Sequence, residues 1–170
     1  MTISGKQLRI VYKNPCRLAT TTNVANLAAG APNTVDGVAV LQNDRILVAS
    51  QTAGAENGIY FVSVVGSGAN GTWIRTLDFY NAAINQIEAG TQCWVQEGHV
   101  YAQRSFILKT TGIITIGVTS LNLQLQGLPS QEISVALDAG DFNSIEDGLA
   151  RAASIANTNN RVAVRIAPGD

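Results

Sequence analysis

The chain has 170 residues, of which 46% are hydrophobic and only 14% are charged, and its formal net charge is −1. This length allows one domain, or two small ones, with a core that needs no disulfide or metal. The balanced charge, without any basic cluster, gives no electrostatic reason to expect nucleic acid or an anionic membrane as a partner. No apolar run approaches the roughly 18 residues of a membrane span, and the start of the sequence lacks the apolar core of a signal peptide.

The predicted elements are mostly short strands. An N-terminal arm over residues 1–15 contains a strand at 8–12 that stops before Asn14-Pro15, and residues 19–32 form an extended arm suited to contacts with neighbouring proteins. Residues 78–86 are predicted to form a short helix with Asp78 as its N-cap. Strands follow the arm at 38–40, 45–49, 59–65, 72–76, 91–96, 100–110, 113–118 and 121–125. Short strands at this spacing indicate a mainly β fold, a small antiparallel sandwich or barrel.

Several polar residues and glycines are assigned to turns. Asp36-Gly37 is a hairpin signal, and Gly37, Gly58 and Gly98 stand where tight turns require positive φ. Asp44 and Asn57 belong to the same group of turn residues, and Asp44 and Arg45 are expected to tie neighbouring strands or loops together.

The composition changes after residue 126. Residues 127–140 are interpreted as a linker. Residues 141–170 then combine an amphipathic helix with a strand at 161–166, the helix carrying Phe142, Ile145, Leu149, Ala152 and Ile155 at helical spacing. Because this strand has no predicted partner, we expect the chain to be the front part of a longer protein.

Two cysteines, Cys16 and Cys93, stand far apart in unrelated contexts. Nothing in the sequence indicates an oxidising compartment, so two reduced, buried thiols are expected, and a disulfide between them is the alternative. The chain is therefore expected to be assembled in a cytosol.

Catalytic chemistry finds little support. His99 is the only histidine and stands in a Gly-His-Val turn, where a solvated side chain is expected. The acidic residues Asp44, Glu56, Asp78, Glu88 and Glu97 all fall in or beside predicted turns. We therefore predict no catalytic, cofactor-binding or metal-binding residue and no enzymatic activity in this chain.

A series of short motifs runs through the first 126 residues: Arg17-Leu18-Ala19-Thr20-Thr21-Thr22-Asn23, Thr34-Val35-Asp36-Gly37-Val38, Asn43-Asp44-Arg45-Ile46-Leu47-Val48, Gln51-Thr52, Glu56-Asn57-Gly58-Ile59-Tyr60, Thr72-Trp73-Ile74-Arg75-Thr76, Asp78, residues 90–95 and Glu97-Gly98. In order and spacing these motifs make residues 16–126 resemble a module found near the N-termini of tail fibres and tailspike-like virion proteins of tailed bacteriophages. The departures are small: Asn43 replaces a usual Gly, Ala49 a frequent Lys, and Gln96 an acidic residue, and the loop at 65–71 is longer than usual.

A second likeness covers the C-terminal part. Asp141-Phe142-Asn143-Ser144-Ile145, with Leu149 and Ala152, then Val164-Arg165-Ile166-Ala167-Pro168-Gly169, resemble the entry to the right-handed parallel β-helix of pectate-lyase-like tailspikes. Residues 141–170 are accordingly interpreted as the start of a β-helical shaft.

Together the resemblances imply a virion protein that joins a tail fibre, tailspike or baseplate element to the phage tail. They imply that the chain forms a homotrimer, that it binds other tail or baseplate proteins, and that it is assembled in the bacterial cytoplasm. The alternatives are a module that binds host glycans, or the non-catalytic N-terminal part of a polysaccharide depolymerase. Trp94, Tyr101, Trp73 and Asn23 are the candidates for an interaction surface, although Trp73 and Tyr60 also suit a packing role in the core.

Overall fold

The computed structural model describes residues 11–126, the backbone of residues 131–135 and 162–166, and residues 149, 150 and 153. The chain divides into two compact units, Met1–Gln126 and Gly127–Asp170. The fold is mainly β, as the sequence predicts. The strands of the first unit are β1 (Tyr12–Cys16), β2 (Leu18–Ala19), β3 (Thr34–Val35), β4 (Val38–Ala39), β5 (Arg45–Val48), β6 (Gly58–Val64), β7 (Thr72–Arg75), β8 (Gln92–Val95), β9 (Arg104–Leu108) and β10 (Leu123–Leu125).

Eight of these strands form two four-stranded sheets. The first sheet has the order β1-β8-β9-β10 and the second the order β2-β5-β6-β7. Most neighbours are antiparallel, but β1 runs parallel to β8 and β2 runs parallel to β5. Strands β1 and β2 are separated only by Arg17, so the chain passes from one sheet into the other at a single residue.

The second sheet is buried on both faces, which divides the hydrophobic core into two parts. An inner core lies between the sheets, and an outer core lies on the far side of the second sheet, beneath residues 20–40. Alternation along the strands assigns each side chain to its part: Leu47 and Ile59 belong to the inner core, Ile46 and Tyr60 to the outer one. This arrangement is a small β-sandwich with an additional covering layer.

The covering layer corrects the expectation for residues 19–32. Val24 and Ala31 are buried in the outer core, beside Trp73. The buried Gln51 side chain accepts a 2.7 Å hydrogen bond from the backbone N–H of Val24 and donates a 2.8 Å bond to its carbonyl. The arm is therefore ordered by its own sheet, and contacts with neighbouring proteins are not needed to explain its composition.

Three local predictions are wrong. Strand β1 runs through Asn14-Pro15 rather than stopping before it, because an irregularity in its register accommodates this stretch. Residues 113–118 form an irregular segment that ends in a turn, and not a strand, since Gly112 and Gly117 both have positive φ. The predicted helix consists of a 3₁₀ turn, Leu77–Phe79, and α1 (Ala82–Asn85), and Asn81 rather than Asp78 caps α1.

The second unit contains two further strands, β11 (Gln131–Val135) and β12 (Val162–Ile166), paired in parallel. The expectation that the last strand lacks a partner is therefore wrong, because β11 lies within the stretch interpreted as a linker. Residues 149, 150 and 153 are helical. The rest of the predicted helix, including Phe142 and Ile145, lies outside the described residues, and the β-helix remains a prediction.

Candidate interaction surfaces

The turn Asp36-Gly37 joins β3 to β4 and docks on the loop that follows β8. Both residues have positive φ, 46° and 77°, the signature of a type I′ hairpin turn. The Asp36 carboxylate accepts hydrogen bonds from the backbone N–H groups of Val100, at 2.9 Å, and Tyr101, at 2.8 Å. The backbone N–H of His99 donates to the Asp36 carbonyl at 3.0 Å. These residues thus attach the covering layer to the first sheet.

Gly98 and His99 complete this contact. A Cβ at Gly98 would collide with the Asp36 carboxylate, and a Cβ at Gly37 would collide with the His99 ring. The His99 side chain is exposed, as expected of a loop histidine. The glycines at both positions therefore allow the close approach of two loops.

Asp44 and Arg45 form the ties between segments that the sequence suggests. Arg17 makes ion pairs with both Asp44 and Glu97, so the residue between β1 and β2 is held from both sides. Arg45 binds Asp78 through two hydrogen bonds, of 3.2 and 2.9 Å. Burial alone would raise the pKa of Asp78, but the Arg45 guanidinium lowers it below its ordinary value.

Asn57 and Gly58 belong to a second polar group, at the start of β6. The Asn57 side chain accepts a hydrogen bond from the backbone N–H of Gln51, at 3.0 Å, and donates one to the Leu121 carbonyl, at 2.8 Å. The Arg75 guanidinium donates to the Asn57 carbonyl at 2.8 Å and to the Tyr60 hydroxyl at 2.7 Å. Gly58 has no Cβ, and one there would collide with the Arg75 guanidinium. These hydrogen bonds give the residues of this group a structural role at the start of β6.

The four residues expected at an interaction surface occupy different places. Trp73 is only 2% exposed and packs in the outer core, so the packing interpretation holds for it. The Asn23 side chain accepts a 2.8 Å hydrogen bond from the backbone N–H of Thr52 and so joins two loops. Tyr101 packs edge-on against Phe106, with ring centroids 5.1 Å apart. Among the aromatic residues of these four, Trp94, which is 45% exposed, is the one whose side chain is available to a partner.

Trp94 lies on the outer face of the first sheet. Strand register places Tyr12, Gln92, Ile107 and Gln124 in one row across all four strands, and Trp94 beside Ser105 in the next. Tyr12 is 71% exposed. The charged residues of these four strands are Lys13 and Arg104. Strand register places them opposite Cys93 and Val95, whose side chains point into the inner core. The described strand residues of the outer face are thus uncharged, and they combine aromatic rings with amides.

A second surface joins the segment 77–86 to the turns at 113–118. Ala82, Ala83 and Ile114 line two adjoining grooves, of about 440 and 370 Å³. Ile113 borders one groove and Tyr80 the other. The large apolar side chains that these segments expose are Leu77, Tyr80, Ile84, Ile113 and Val118, and we call this set the apolar surface. Sequence analysis missed it because it assigned residues 113–118 to a strand of the sandwich.

Within the described parts of the chain, no three His, Cys, Asp or Glu side chains come together as a possible metal site. No helix there is both long and apolar enough to cross a bilayer. Comparison of the chain with protein families, with curated proteins and with solved structures finds no match.

Proposed function

We propose that this chain is a structural module of a tailed-phage virion, joining a fibre, spike or baseplate element to the tail as a homotrimer. The observation that carries the proposal is the apolar surface. Ile113 is 93% and Ile84 is 78% exposed, on two segments that border a common groove. The resemblance of residues 16–126 to tail-fibre modules supplies the type of assembly.

The energetic argument concerns what such side chains do in water. Burying a Leu, Ile or Val side chain stabilises an assembly by about 1.5–3 kcal/mol. Large exposed apolar side chains on neighbouring segments suit a protein–protein contact. A chain with only 14% charged residues has few groups that would oppose such burial.

The polar residues in the motifs that carry the resemblance support a structural role for this chain rather than a catalytic one. Asp36, Asp44 and Asn57 each hold two segments together through the hydrogen bonds and ion pairs described above. Their carboxylate and amide groups are occupied by backbone and arginine partners. A module of this kind maintains its shape while partners bind at its surface.

Native mass spectrometry of the purified chain tests the oligomeric part of the proposal. We expect a mass three times 17.9 kDa. A monomer at every concentration tested would contradict the homotrimer. Quantitative peptide mass spectrometry of purified phage particles tests the virion part, with copies per particle expected in a multiple of three; absence of the chain from particles would reject it.

A second candidate function, binding of a neutral host glycan, is favoured by the outer face of the first sheet. Trp94 is two residues along β8 from Gln92, about 6.6 Å, so a ring and an amide present themselves side by side. Aromatic faces stack on the apolar faces of sugar rings, and amides both donate and accept hydrogen bonds with hydroxyl groups. The lack of charged strand residues on this face suits an uncharged saccharide.

Screening on an array of neutral bacterial oligosaccharides, followed by titration calorimetry, tests this second candidate. We expect Trp94→Ala to abolish binding, while Tyr80→Ala, on the apolar surface, retains it. No binding to any neutral saccharide would remove this function and leave the assembly proposal standing.

A further inference from the structure

The two cysteines meet in the inner core although they are 77 positions apart in sequence. Cys16 ends β1 and Cys93 lies in β8, the parallel neighbour of β1. Both are free and buried, and their Sγ atoms are 3.3 Å apart. At this distance the two thiols form an S–H···S hydrogen bond, with Cys93 as the donor.

The two thiols have different surroundings. Burial raises the pKa of the Cys16 thiol, whereas the hydrogen-bonding contact between the two sulfurs lowers the pKa of Cys93. The positive charge of Arg45, in the facing sheet, also favours a thiolate at Cys93. Cys93 is therefore assigned as the first nucleophile of the pair.

We propose that Cys16 and Cys93 are a disulfide-forming pair, which links β1 to β8 when the protein meets a small disulfide oxidant such as oxidised glutathione. The Cys93 thiolate attacks one sulfur of the oxidant and releases a glutathione thiolate. The Cys16 sulfur, after losing its proton, then attacks Cys93 and releases the second. Two protein thiols are oxidised, one glutathione disulfide is reduced, and the two protons leave on the two glutathione molecules.

The two sulfur atoms that this bond would join are already in contact. The Sγ atoms have to close from 3.3 Å to the bond length of about 2.05 Å. Both residues belong to neighbouring strands of one sheet, so the closing movement does not require the sheets to separate. The bond would replace an existing contact.

Access of the oxidant requires β1 to open locally. Among the strands that the structure describes, β1 lies at the edge of the first sheet and pairs only with β8. Its register is irregular between Lys13 and Cys16, and Pro15, inside that stretch, has no N–H to donate. An edge strand with an interrupted ladder opens more readily than the central strands, so opening sets the rate at which the disulfide forms.

Incubation of the folded chain with oxidised glutathione, followed by denaturation, alkylation and intact mass analysis, tests the proposal. Before oxidation two thiols of the chain should be alkylated, and after oxidation none should be. A non-reducing gel should show no dimer. Peptide mapping should recover a linked pair containing Cys16 and Cys93. In Cys16→Ser and Cys93→Ser the intramolecular link should be absent.

The wild-type protein alone decides the outcome, whether or not the variants fold. Two alkylated thiols in the folded chain, under conditions in which the urea-unfolded chain becomes crosslinked, would overturn the proposal. Glutathione retained on Cys93 without closure, or a link between chains, would overturn it equally. The inference does not depend on the proposed function, so its failure leaves the assembly proposal untouched.

Discussion

The Asp36 carboxylate accepts a 2.8 Å hydrogen bond from the backbone N–H of Tyr101, 65 positions further along the chain. Through this bond the hairpin β3–β4, which lies over the second sheet, is attached to a loop of the first. The layer that covers the outer core is therefore attached to the first sheet at this turn, and the Asp36 carboxylate makes part of the attachment.

Substitution of Asp36 should destabilise the fold. Asp36→Ala removes the acceptor for the N–H groups of Val100 and Tyr101, and we expect the free energy of unfolding to fall by about 1–3 kcal/mol. Asp36→Asn keeps one acceptor oxygen and tolerates the positive φ, so it should cost less. Urea denaturation at pH 7 measures the change in the free energy of unfolding for both variants. Thr34→Ala, at an exposed neighbouring residue, is the control, and its change should be near zero.

Gly98 should tolerate no side chain. Gly98→Ala places a Cβ against the Asp36 carboxylate, at a φ of 133°. Gly68 provides the matched control, since it also has positive φ but nothing within 4 Å of its added Cβ. We expect Gly68→Ala to cost about 1–2 kcal/mol from backbone strain and Gly98→Ala distinctly more. Equal thermal stabilities of the two variants would show that the loops do not touch.

The pair Arg45–Asp78 should make stability depend on acid pH. Because the folded-state pKa of Asp78 is lowered, its contribution is fully present above the unfolded value of about 3.9 and is lost as pH falls through the lower, folded value. In Asp78→Asn the part of the acid destabilisation due to this group should disappear. Urea denaturation between pH 7 and pH 3 measures the difference; parallel curves for the two proteins would contradict it.

The apolar surface should control assembly. Ile113→Asp places a charge on the most exposed isoleucine of the set and should lower the oligomer population by an order of magnitude or more, since burying an unpaired charge is costly. Leu41→Asp, at a comparably exposed apolar residue outside this surface, should leave it unchanged. Analytical ultracentrifugation measures both, and equal effects would indicate that a different surface mediates the contact.

Local signals in the sequence predicted much of the β-sandwich. Asp36-Gly37 specifies a type I′ turn by itself, and Cys93, Trp94 and Val95 show the alternation of a strand with one buried face. Such patterns depend on neighbours in sequence, so a single chain reveals them.

The remaining features depend on contacts between distant residues. Residues 113–118 have the β-branched composition of a strand, but Gly112 and Gly117 turn the backbone away from any partner. The arm at 19–32 has no periodicity because Val24 and Ala31 pack singly against the second sheet. The Cys16–Cys93 contact and the apolar surface required knowledge of which strands are neighbours.

The passage of β1 into β2 at Arg17 has a mechanical consequence. Tension applied along β1 would act parallel to its ladder with β8, so its hydrogen bonds would be loaded in shear and share the force. Beyond Arg17 the same tension would enter β2 and its parallel neighbour β5 in the other sheet. A pull on this end of the unit would thus be divided between both halves of the sandwich, rather than peeling one strand from an edge.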